Sequence, residues 1–132
     1  MGTLTSLSIL LNIKMFMAKY FWIFTVILTC SFAYQISIQT GTASYYHNKF
    51  EGRKTSSGEV FRQDSLTAAH KNLPFGTLIL VKNVKNDSTV VVKVNDRLSQ
   101  SSSHIIDLSL KAAQKLNFVR NGITTVTLEK IN

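Results

Sequence analysis

The segment VVVKVND, Val90 to Asp96, ends an alternating apolar run on an acid. Side chains alternate across a strand, so Val90, Val92 and Val94 share one face and Asp96 continues it. Val91, Lys93, Asn95 and Arg97 take the other face. An acid that closes a valine face stands at the rim of a core, where lost hydration raises its pKa. A general acid needs that environment. Pairing with Arg97 or capping a turn would also account for Asp96. His70, in SLTAAHKNLPFGT, is the second candidate, open to three roles: packed core histidine, metal ligand or catalytic group. Glu59 ends the TSSGE turn and, on residue type alone, is a solvated turn residue. A metal site is not expected: His47, His70 and His104 lack short ligand spacing, HExxH is absent, and Cys30 is the single cysteine. Nor is a GxSxG nucleophile elbow present, and no cofactor is expected.

The elements that would position these groups are mostly short strands. Ile36 to Tyr46 reads as extended and is followed by a polar, glycine-bearing loop, HNKFEGRKTSSGE. Thr77 to Val84 is a β-branched strand, KNDS a turn, and Val90 to Asp96 the next strand. A serine-rich loop leads to IIDLS. Ser109 to Phe118 is the one good helix candidate: Leu108, Ala112 and Leu116 fall on one side, and Asp107 or Ser109 can cap its start. Asn121-Gly122 turns the chain into a last strand, ITTVTLEKI. Many short strands with little helix predict a mainly β protein, a small barrel rather than an α/β sheet.

The first 33 residues read differently. From Tyr20 to Ala33 runs YFWIFTVILTCSFA, preceded by Lys14 and Lys19 and ending Ser-x-Ala. A positive flank, a short apolar core and small residues at the end match an export signal, with the true start at Met1, Met15 or Met17. The run is shorter than the roughly 20 apolar residues of a membrane span. Cleavage after Ala33 is expected; lipid attachment at Cys30, with ILTC as a lipobox, is the competing reading. Residues 34–132 form one domain with 13 Lys and Arg against 7 Asp and Glu, a net charge of +6. The basic residues are scattered, and no basic helix is present. Anionic envelope polymers suit such a surface better than nucleic acid does.

In order along the chain, GTASYY, FEGRKTSSGE, LTAAHKNLPFGT, VVVKVNDR and IIDLSLKAAQKL resemble the rare lipoprotein A (RlpA) family. The resemblance runs from about Gly41 to Leu128. It implies a six-stranded double-psi β-barrel with one or two short helices. It also implies lytic transglycosylase activity on peptidoglycan, with preference for glycan strands stripped of stem peptides. Carried over residue by residue, the groups associated with that activity are Glu59, His70 and Asp96. Tyr45, Tyr46, Arg97 and Asp107 are expected to contact substrate, although Tyr45 and Tyr46 could pack and Asp107 could cap the helix. The chain departs from the family pattern at Tyr45-Tyr46-His47 (commonly Trp-Tyr-Gly), at Arg62 (commonly Asp) and at Leu98-Ser99 (commonly Gly-Pro). Many members carry a C-terminal SPOR domain, which is not expected after this barrel sequence.

The implied reaction cuts the bond between N-acetylmuramic acid and N-acetylglucosamine without water. Asp96 is the expected acid/base, with Glu59 holding sugar or orienting Asp96, and His70 bonding a carboxyl or a sugar hydroxyl. The competing function is an expansin-like module that binds peptidoglycan without cutting it. Envelope or division proteins are further expected partners, and the expected location is the periplasm or cell envelope.

Overall fold

The computed structural model describes residues 2–31 and 36–131. The expected cleavage point after Ala33 lies outside the described residues. Residues 1–35 and 36–132 are separate compact units. In the first, α1 spans Gly2–Ser31. Nothing after Gly2 breaks it, because the segment holds no further glycine and no proline. Phe16 and Tyr20, one turn apart, pack their rings with centroids 4.4 Å apart. Among the described residues, no helix is long and apolar enough to cross a membrane.

In the second unit six strands close into a barrel: β1 (Ile38–Tyr45), β2 (Thr67–His70), β3 (Leu78–Asn83), β4 (Thr89–Arg97), β5 (Ile106–Leu108) and β6 (Thr124–Lys130). Their order around the barrel is β1-β5-β2-β4-β3-β6, with β6 back against β1. Two pairs, β1/β5 and β2/β4, are parallel, and the others are antiparallel. Closure leaves no unpaired strand edge. The architecture is the mainly β, six-stranded double-psi barrel that the resemblance implies.

Two of these strands were not evident in the sequence, β2 in TAAH and β5 in IDL. All four residues of β2 are buried, so no apolar-polar alternation marks it. The core is formed by inward residues of every strand, among them Ala43, Ala68, Ile79, Val81, Val92, Val94, Ile106, Leu108, Val126 and Leu128. Burying one such Val, Leu or Ile side chain contributes about 1.5–3 kcal/mol.

The predicted helix is present but shorter. α2 spans Leu110–Lys115. Ser109 caps it, accepting from the Ala112 N–H and donating to the Ser65 carbonyl. Asp107 does not cap it, because that residue lies within β5. The helix stops before Phe118 because Asn117 turns left-handed, φ 58°. The freed Leu116 carbonyl accepts from Asn83 Nδ2, Asn86 Nδ2 and Ser88 Oγ. Phe118 then enters the core, where Tyr45 meets its ring edge-on at 5.9 Å.

Candidate active site

The strand register decides which acids share a face. Ser44 is paired with Asp107, Asp107 with Ala69, and Ala69 with Asp96. Residues paired across a sheet point to the same side. The neighbouring rows hold Tyr45, Leu108, Ala68 and Val94 on one flank, and Ala43, Ile106, His70 and Arg97 on the other. Those rows carry the buried core residues, so Ser44, Asp107, Ala69 and Asp96 face outward.

This corrects the parity that placed Asp96 on the valine face. Ala68 pairs with Val94, but the next residue, Ala69, pairs with Asp96; Asn95 is passed over in a β-bulge. One extra residue reverses the side to which the rest of the strand points. Asp96 therefore stands on the outer side of the barrel, two strands away from Asp107 with β2 between them. Ala69, 1% exposed, is the residue of the intervening strand β2 that pairs with both. Two strand spacings put the two backbones about 10 Å apart.

The bulge also docks the loop that finishes the site. The Asn95 carbonyl accepts from Thr55 Oγ1 at 2.6 Å and from the Ser57 N–H at 3.3 Å. The turn closes where the Gly58 N–H donates to the Thr55 carbonyl at 2.9 Å, with Gly58 at φ 88°. Only glycine adopts that angle without strain. So held, the loop brings the Ser56 N–H to Asp96 Oδ1 at 2.9 Å.

Asp96 receives two further donors, the Arg97 N–H at 2.8 Å and Tyr46 Oη–H at 2.5 Å. Burial alone raises the Asp96 pKa, but the donors from Tyr46, Ser56 and Arg97 together outweigh it and hold the carboxyl below its usual range. The raised pKa expected at a core rim is thereby overturned. Tyr46 moves the opposite way: burial, the bond to Asp96 and the charges of Asp96 and Asp107 lift it far above an ordinary phenol. Its ring is packed against Phe61 at 4.4 Å and Phe50 at 5.7 Å. Tyr46 thus offers its hydroxyl, not an open stacking face. Asp107 accepts a hydrogen bond from the Ser44 hydroxyl.

The other expected site residues take different positions. Glu59 does not bond Asp96. Its carboxylate meets Lys93 Nζ at 2.8 Å and Asn95 Nδ2 at 3.1 Å, and these bonds lower its pKa. His70, expected beside the two carboxylates, points to the opposite side of the sheet from Asp96 and is 5% exposed. Its Nε2 is 3.1 Å from Gln39 Oε1, and its Nδ1 accepts from the Asn72 and Leu73 N–H groups at 3.2 and 3.1 Å. Nδ1 as acceptor leaves the proton on Nε2, facing Gln39. Burial, with Arg97 and Lys71 nearby, lowers the His70 pKa. It is a satisfied buried histidine in this structure.

Tyr45 faces the core, its hydroxyl donating to the Val119 carbonyl at 3.1 Å. The Arg97 guanidinium donates to the His70 and Leu73 carbonyls, both at 2.9 Å, and lies 4.5 Å over the Phe75 ring. Its side chain secures the turn after β2, and its backbone serves Asp96. Arg62 pairs with Glu51 at 3.7 Å, so that departure from the family pattern leaves the Asp96 donors intact. Among the described residues, no group of three or more His, Cys, Asp or Glu could hold a metal ion.

Residues 38–128 match the family described as lytic transglycolase. The chain belongs to that family. Over 93 residues it is 50% identical to the endolytic peptidoglycan transglycosylase RlpA of Neisseria meningitidis, covering 70% of this chain and 39% of that protein. The Haemophilus influenzae protein of the same name is 45% identical over 95 residues, 72% of this chain and 33% of that protein. The chain therefore spans well under half the length of these relatives. An apo expansin from Clavibacter michiganensis superposes with a TM-score of 0.60 at 21% identity, covering 73% of this chain and 51% of the expansin. The Streptomyces papain inhibitor also gives 0.60, at 23% identity, covering 74% and 98%. These two share the fold.

Within this lytic transglycolase barrel, Ser44, Ser56 and Lys93 were not foreseen. Ser44 was legible in part: it alternates with Ala43 and Tyr45, both core residues. Ser56 serves through its backbone N–H, which no residue type announces. Lys93 was placed on the face opposite Asp96 until the bulge brought the two together.

Proposed function

We propose that the protein is a lytic transglycosylase that cuts peptidoglycan between N-acetylmuramic acid and N-acetylglucosamine, leaving 1,6-anhydro ends. The observation that supports it is the outward Asp96, held by three donors and flanked across Ala69 by Asp107. In its protonated form Asp96 gives its proton to the bridging oxygen, and the sugar ring gains oxocarbenium character. The resulting carboxylate then takes the proton of the muramic acid C6 hydroxyl as that oxygen closes on C1. One carboxyl serves twice because the nucleophile belongs to the substrate, which also removes the need to hold a second reactant. Water-dependent glycosidases generally need a second carboxyl as base or nucleophile.

The free protein holds Asp96 mostly ionised at neutral pH, as its lowered pKa requires. A glycan lying over the half-buried carboxyl displaces water from it and raises its pKa toward a working value. Tyr46 and Ser56 fix its direction. Asp107, oriented by Ser44, faces the glycan from β5, across β2 from Asp96, and stabilises the ring's developing positive charge.

The substrate is further proposed to be glycan stripped of stem peptides, and residues 1–33 an export leader that delivers the barrel to the cell envelope. Lipidation of Cys30 and contacts with division proteins are finer readings of the same kind.

Digestion of peptide-free glycan strands, read by mass spectrometry, tests the activity. Anhydromuramic products are expected, with Asp96→Asn reducing their rate about 10²–10⁴-fold while the fold is kept. Reducing ends would mean a hydrolase. Strands bound but uncut would favour the peptidoglycan-binding module.

A further inference from the structure

Lys93 shares the outer face with Asp96. Their partners on β2 are Thr67 and Ala69, two residues apart and therefore on one side of that strand. The two side chains are thus about 7 Å apart along the sheet. Among the described residues the Lys93 ammonium is engaged by Glu59 alone, at 2.8 Å, and the two side chains are 41% and 47% exposed. An exposed pair of this kind is worth about 0–1 kcal/mol, so a second carboxylate can take the place of Glu59. The released Glu59 keeps Asn95 Nδ2 as a partner. Beside Lys93, Thr67 Oγ1 is buried and has no hydrogen-bond partner among the described residues.

We propose that Lys93 is an anion subsite for the lactyl carboxylate of a peptide-free muramic acid residue, with Glu59 as its exchangeable counter-ion. The proposal rests on the outer face being a glycan site. It names the feature of the glycan that this face reads. The lactyl group is an ether on C3 of the same ring whose C1 bond breaks, so a cation one pleat from the acid is within its reach. Removing the stem peptide exposes a negative carboxylate there. With the peptide attached, that carbonyl is an uncharged amide and has nothing to exchange with Glu59. Lys93 thus supplies a physical reason for choosing stripped strands.

The experiment measures binding without cutting, using the 132-residue chain with Asp96→Asn. The probes are soluble peptide-free glycan strands and the same strands with every lactyl carboxylate converted to its methylamide. Native strands are expected to bind about tenfold more tightly at low salt, a difference equivalent to about 1.4 kcal/mol. High salt should erase that preference. Lys93→Met should bind both strands alike, Lys93→Arg should keep the preference, and Glu59→Gln should tighten binding of native strands alone. A preference that survives Lys93→Met, or weaker native binding with Glu59→Gln, would overturn the subsite while leaving the glycan reading intact. Failure of the Asp96→Asn chain to bind either strand would overturn the glycan reading itself.

Discussion

Replacing Tyr46 with phenylalanine isolates the strongest side-chain control on Asp96. The substitution keeps the ring, which packs on Phe50 and Phe61, and deletes only the hydroxyl that donates to Asp96 at 2.5 Å. A hydrogen bond to a charged group contributes about 1.5–3 kcal/mol. Asp96 is partly exposed, so the lower figure applies, and about 1.4 kcal/mol corresponds to one pKa unit. The Asp96 pKa should therefore rise by about one unit, with Ser56 and Arg97 still donating. The sign follows from the direction of the resting shift. Burial raises the pKa and donors lower it, so removing a donor moves it up. If the reaction needs protonated Asp96, the fall of kcat/KM with rising pH should begin about one unit later in Tyr46→Phe. Two assays check this: carboxyl-carbon NMR titration of both proteins, and kcat/KM on peptide-free glycan across pH. An Asp96 that titrates at the same pH, or lower, in the variant would refute the donor reasoning. An unchanged rate profile despite a shifted Asp96 would refute its role as the acid.

Two further outcomes follow from burial and packing. His70 has a lowered folded pKa, so the unfolded chain binds its proton first, and stability should fall as pH drops below about 6.5. Thermal melts from pH 8 to 5 should show that decline, and His70→Gln should flatten it; a decline of equal slope in the variant would remove His70 as the cause. Gly41→Ala would place a Cβ 2.6 Å from Ile105 Cγ2, an overpacking cost of about 1–3 kcal/mol. Chemical denaturation should register that loss, and Ile105→Ala in the same chain should cost less than it does alone; simple addition of the two losses would count against the clash.

What could be seen in the sequence tracks how each residue is buried. β3, β4 and β6 carry β-branched residues and turn signals, and they appear within a residue or two of their expected places. β2 is covered on both sides, so its alanines carry no period. β5 has three residues, fewer than any periodic signal needs. Asp96 was found for a reason the structure reverses: alternation through VVVKVND is unbroken in letters, and no glycine or proline marks the extra residue at Asn95. His70 reads as a groove residue through the resemblance, whereas the two alanines that precede it match the buried strand in which it lies. The donors to Asp96 were invisible because two of the three are backbone N–H groups.

The bulge at Asn95 makes the site depend on chain length as well as on residue identity. Replacing Asn95 would alter one side chain; removing it would turn Asp96 inward among the valines and deprive the Thr55–Ser57 loop of its anchoring carbonyl. Loss by deletion would then be abrupt where loss by substitution is graded. In a comparison of related barrels, a gap opened between Val94 and Asp96 changes which side of the wall an aspartate occupies, even when every aligned letter agrees.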